Sequence, residues 1–80
     1  MDAYELAARA HALPAAFADR LEPADLTDVR ELAEAGEWGE EVDLLVATLR
    51  VRHRSVTAAE RCELMALLEA MACPPAPSTG

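Results

Sequence analysis

The sequence predicts an all-α fold, a compact bundle of about four helical segments. Three observations predict it. Alanine is frequent, leucine dominates the large aliphatic residues with 11, valine follows among them with 5, isoleucine is absent and aromatics make up only 4%, a mix that favours helices over strands. Apolar residues recur every three or four positions in successive stretches, without strand-like alternation or an internal repeat. Proline, glycine and a Thr-x-x-Glu pattern stand where helices begin and end.

Residues 3 to 13 read as the first helix, with Tyr4, Leu6, Ala7, Ala10 and Leu13 as a loose apolar stripe. Pro14 is expected to interrupt it, because proline cannot donate the helical hydrogen bond. Residues 15 to 21 form a further helical piece, with Phe17 and Leu21 four apart. The sequence leaves open whether 3–21 is one kinked helix or two short ones. In "EPADLTDVRELAEAG" the helix is clearer. Pro23 suits the first helical position, and Asp25 and Asp28 lie near the positive end of the dipole. Leu26, Val29, Leu32 and Ala33 supply the apolar face, and Gly36 fits the left-handed residue that follows a helix.

The next helix follows almost at once in "EWGEEVDLLVATLRVRH". Trp38, Val42, Leu45 and Leu49 share one face, with Val46 beside them. Acids gather at its start and Arg50, Arg52 and Arg54 at its end, which suits the helix dipole at both ends. Gly39 in the first turn is read either as room for another backbone or as a place for the indole to fold over. In the last helix, "VTAAERCELMALLEAMA", Thr57 and Glu60 form a capping-box pattern. Leu64, Leu67, Leu68 and Met71 make its core face, with Met65 alongside. Residues 1–73 are thus a single helical domain, and the proline-bearing tail 74–80 is expected to be disordered. Short connections make sequential helices roughly antiparallel.

Eighty residues form one domain, and a core of this size rarely supplies more than about 3–5 kcal/mol of net stability. The net charge is −8 and the pI about 4.5. Such a field repels nucleic acid and anionic membranes and attracts basic partners. The N-terminus carries acids where a secretory leader needs positive charge, and no apolar run approaches the ~20 residues of a membrane span; a cytoplasmic location is expected. On one continuous helix Cys62 and Cys73 would lie about 16 Å apart, too far for a disulfide. They read as reduced, small apolar residues.

Chemistry is not written in the chain. His11, His53, Cys62 and Cys73 match no zinc spacing, so no metal and no cofactor is expected. Carboxylates are plentiful, yet a catalytic pair needs a cleft that so small a bundle has little room for. No nucleophile motif or phosphate-binding glycine loop is present. An enzyme is not expected. The basic cluster "RVRHR" reads as a contact for a phosphate or, more in keeping with the net charge, as a helix end capped by cations that pair with neighbouring acids.

The stretch "EAGEWGEEVDLL" carries the remaining signal. Trp38 reads as a core residue closing the helix junction, or as a partly exposed interface anchor. The acids around it read as a solvated face, or as a docking surface whose charge steers a basic partner. The segments "DLTDVRELAEAGEWGEEVDLLVATL" and "TAAERCELMALLEAM" resemble the MafI-type small immunity proteins of bacterial polymorphic toxin systems. The resemblance spans roughly residues 20 to 71. It rests on Val29, Leu32, Gly36, Glu37, Trp38, Gly39, Leu45 and Leu49, then Glu60, Leu64, Leu67 and Met71. Where that family often has an apolar-alanine pair after the second glycine, this chain has Glu40, Glu41 and Val42. Where the family often has an acidic, tyrosine-bearing segment after that helix, this chain has "RVRHR".

The resemblance implies a bacterial protein that binds and neutralises a cognate toxin domain, a nuclease in one version, by occlusion. The expected partner is a basic toxin domain, with neither nucleic acid nor membrane involved and the protein a monomer or weak homodimer. Glu34, Glu37, Trp38, Glu40, Glu41 and Asp43 are the expected partner-binding residues. The alternative is a small helical adaptor or regulatory subunit, homodimeric in one version, which joins a larger assembly through an apolar stripe.

Overall fold

The computed structural model describes residues 1–72; the tail expected to be disordered, and Cys73, lie outside the described residues. The fold is all-α: α1 (Ala3–Ala16), a 3-10 turn (Ala18–Arg20), α2 (Pro23–Glu34), α3 (Trp38–Val51) and α4 (Ala58–Ala72). Helix α2 packs most extensively on α3, α1 lies against α2, and α4 covers α3 and reaches back to α1. Among the described residues no helix is long and apolar enough to cross a membrane.

Local chemistry sets each boundary. Asp2 caps α1 by accepting the Glu5 amide at 2.7 Å, satisfying one donor of the first turn. Pro14 does not interrupt α1, contrary to expectation: the helix runs on to Ala16 with Pro14 buried inside it. Pro14 stands only two residues from the end, so its missing N–H removes a single bond of the last turns. Phe17 then closes the helix by donating its amide to the Leu13 carbonyl at 3.1 Å. The 3-10 turn after it answers the open question: one helix, then a tight turn.

Helix α2 begins at Pro23 as expected and ends in a double hydrogen-bonded cap. The Glu37 amide donates to the Leu32 carbonyl at 2.9 Å and the Gly36 amide to that of Ala33 at 3.2 Å. Gly36 itself sits at φ +76, where glycine avoids the Cβ–carbonyl clash. The same cap recurs at the end of α3. There the Arg54 amide donates to Leu49 at 2.9 Å and the His53 amide to Arg50 at 3.2 Å. The left-handed position is held by His53, at φ 54, instead of a glycine. Before α4, the Thr57 hydroxyl accepts from the Glu60 amide at 3.0 Å and the Glu60 carboxylate accepts from the Thr57 amide at 2.9 Å. This is the reciprocal capping box the sequence predicts.

The core is one cluster: Leu13, Phe17 and Leu21 from α1 and its following turn, Val29 from α2, Val42, Leu45 and Leu49 from α3, and Leu64 and Leu67 from α4. Phe17, Leu45 and Leu67 are the largest fully buried apolar side chains. Several expected stripe members are not in it: Leu6, Leu26, Val46, Leu68 and Met71 are only partly buried against it, and Leu32, Trp38, Tyr4 and Met65 stay outside. Tyr4 is 87% exposed and Met65 53% exposed, because each lies on the outer side of its helix.

Ion pairs tie the two ends of the chain together. Arg9 on α1 donates through Nε to Glu63 on α4 at 2.7 Å and pairs through a second nitrogen with the same carboxylate. Arg20 grips Glu60 through both terminal nitrogens and lies over the Phe17 ring, 4.6 Å from its centroid. These forked contacts are directional as well as charged. Arg20 and the Thr57 amide together hold the Glu60 carboxyl down at about 2, and Arg9 lowers that of Glu63.

Candidate functional site

The α2–α3 corner places the residues that the sequence singles out. Glu34 is the last residue of α2, and Glu37 precedes the first turn of α3. Glu40 and Asp43 follow one helical step apart on α3, the spacing that puts side chains on one face. All four are exposed. Among the described residues, none of the four takes part in an ion pair, whereas Glu5, Asp19, Asp25, Glu60 and Glu63 each meet an arginine. The corner is thus a negative surface that no described residue neutralises. The tight cap at Gly36 fixes the angle at which α3 leaves α2, and so holds Glu34 and Glu37 in place relative to Glu40.

Trp38 opens α3 beside this corner and is half-buried. Its ring meets the edge of His11 from α1 at a centroid distance of 6.4 Å and an interplanar angle of 70°, the edge-on arrangement aromatic quadrupoles favour. The indole Nε1 is buried without a hydrogen-bond partner among the described residues. Trp38 is thus half-buried against α1, outside the main core cluster, and keeps some surface toward solvent.

Glu41 corrects the expected site. The sequence places it among the partner-facing acids, but it is fully buried. The reason is geometric. Glu41 lies three residues after Trp38 and four before Leu45, on the face that α3 turns inward. Neither carboxyl oxygen has a hydrogen-bond partner among the described residues. Burial pushes its pKa up to about 7, since a charged carboxylate is poorly solvated there. Glu41 therefore belongs to the interior and not to the exposed acidic surface.

Gly39 is also different from either expected reading. A Cβ placed on it would meet only the Met71 Sδ, at 3.9 Å, an ordinary contact. Its φ is not in the left-handed region, so neither space nor conformation requires glycine there.

The basic cluster divides. Arg52 pairs with Asp25 of α2 at 3.2 Å, as a cation joining a neighbouring acid should. Arg50 and Arg54 instead stand with Arg61 of α4 around an apolar groove of about 510 Å³ between the end of α3 and the start of α4. Sequence reasoning missed this groove. The available signal was α4 itself, whose apolar residues Leu64, Met65, Leu67 and Leu68 cover more of its circumference than one buried stripe needs.

Among the described residues no three His, Cys, Asp or Glu side chains are grouped to hold a metal ion. Cys62 is a free, exposed thiol. By fold the protein is a small four-helix bundle with an unneutralised acidic corner. Comparison with family models, with curated proteins and with solved structures gives no match to the chain.

Proposed function

We propose that the protein is an immunity protein, which binds a cognate bacterial toxin domain and neutralises it by covering its surface. The observation that supports this reading is the exposed, unneutralised set Glu34, Glu37, Glu40 and Asp43 at the α2–α3 corner. Trp38 adds an aromatic anchor at the edge of the same corner. Charge at such a surface accelerates encounter with a basic partner and rejects acidic ones, while a half-buried tryptophan supplies a contact of the kind that dominates binding energy. The likeness of residues 20 to 71 to MafI-type immunity proteins points the same way.

The mechanism needs no bond chemistry. A nuclease toxin binds a polyanion in a basic cleft, and carboxylates held at fixed spacing on a rigid corner compete for that cleft. The corner is suited to the task because its geometry is set by backbone hydrogen bonds around Gly36 and leaves the exposed carboxylates free to meet a partner.

The test is co-expression with a candidate toxin domain, taken from a large secreted protein if one is encoded beside this gene. The expected outcome is a complex that co-purifies and protection of the host cells. Cells killed equally with and without the protein, when it is present and folded, would refute the reading.

A further inference from the structure

The groove between α3 and α4 lies at the opposite end of α3 from the acidic corner and is not used by the function proposed above. Its floor is apolar, with Val46, Leu64, Met65 and Leu68, and Arg50, Arg54 and Arg61 stand around it. Met65 is 53% exposed. In a chain of net charge −8, a cationic rim around an apolar floor selects an occupant that is apolar and carries acid.

Helix α4 supplies such an occupant. Arg61 lies four residues before Met65 and Glu69 four residues after it, so all three share one face of the helix. Both charged residues are exposed, and among the described residues neither is in an ion pair. The other acids of this helix, Glu60 and Glu63, are held by Arg20 and Arg9 on the inner side. A second α4 laid antiparallel over the first, with Met65 at the crossing, brings Arg61 of each copy to Glu69 of the other. The same placement sets the negative C-terminal end of one α4 over the Arg54 and Arg61 end of the groove. The face is complementary to itself, as a twofold interface requires.

We propose that the groove is a homodimer interface, in which α4 of a second copy of this chain packs antiparallel across Met65 and Leu68 with Arg61 and Glu69 paired across the twofold axis. The interface leaves the α2–α3 corner of each copy outside, so the dimer presents two acidic corners.

Sedimentation equilibrium of the full chain from about 1 μM to about 1 mM tests the association. A monomer–dimer equilibrium is expected. Arg61→Glu and Glu69→Arg should each weaken it about tenfold or more, since each sets two like charges in opposition. The double variant R61E/E69R should restore it, which a merely destabilising change would not do. In a Cys62→Ser, Cys73→Ser background, Met65→Cys should give a covalent dimer on oxidation, and Ala24→Cys, exposed on α2, should not. A monomer throughout the concentration series overturns the proposal. So do single charge variants that dimerise like the parent, or a double variant that fails to restore dimerisation.

Discussion

Glu41 is the residue at which this fold stores a cost. Its buried carboxyl has its pKa raised to about 7 from 4.5. Below pH 4.5 the group is protonated in both folded and unfolded chains and adds no difference. Between pH 4.5 and 7 the unfolded chain loses its proton first, so stability falls as pH rises. Above pH 7 the full penalty is present, at most about 3 kcal/mol from the size of the shift. Glu60 and Glu63 act in the opposite direction, because their lowered values make stability fall as pH drops below 4.5. The parent should therefore melt at a higher temperature at pH 5 than at pH 8. Glu41→Gln should flatten that difference and raise the melting temperature at pH 8. Thermal unfolding followed by circular dichroism reads both, and an unchanged pH slope in the variant would show that Glu41 is not its source. The sequence did contain this information. Glu41 falls on the Trp38–Leu45 stripe, but its neighbours Glu40 and Asp43 made it look like one more surface acid.

Two left-handed residues give a matched pair of expectations at the same scale. Gly36→Ala should cost about 1–2 kcal/mol, since a Cβ at φ +76 crowds the following carbonyl. His53→Gly should stabilise by a similar amount, since His53 already bears that strain at φ 54. Urea denaturation distinguishes them by the sign of the midpoint shift. A destabilised His53→Gly would mean that the histidine side chain contributes a contact larger than the strain.

At the scale of elements, most of the fold was legible. The ends of α2, the start of α4 and the inner face of α3 follow from Pro23, Gly36, Thr57 with Glu60, and the Trp38–Leu49 spacing. Each is a local rule whose cause lies within a few residues. Pro14 misled because its effect depends on how much helix remains beyond it, and that is decided by Phe17 docking into the core. The arginine pairings Arg9–Glu63 and Arg20–Glu60 were not legible, since they join residues 54 and 40 positions apart. Thr57→Ala should lower stability by about 1 kcal/mol through loss of the cap. Gly39→Ala should raise it by up to about 1 kcal/mol, because the helix gains a better former and the space is open. Chemical denaturation checks both, and a strongly destabilised Gly39→Ala would show that the α3–α4 approach is closer than the Met71 contact implies.

At the scale of the whole molecule, charge is sorted by place. Arginines join α1 to α4, the turn after α1 to α4, and α3 to α2, while among the described residues Glu34, Glu37, Glu40 and Asp43 of the α2–α3 corner are in no ion pair. The acidic corner was largely readable in the sequence because its members are neighbours in the chain. The groove at the far end of α3 was not, because Arg50, Arg54 and Arg61 converge only when α4 folds back. The proposed binding role rests on the corner's charge acting on a basic toxin domain. Titration calorimetry of that domain against the parent and against a Glu37→Lys, Glu40→Lys, Asp43→Lys variant addresses it most directly. The affinity of the variant should fall about a hundredfold or more with its helical spectrum unchanged, and the parent's own affinity should weaken as salt is added. Equal affinities for parent and folded variant would contradict the role assigned to the corner.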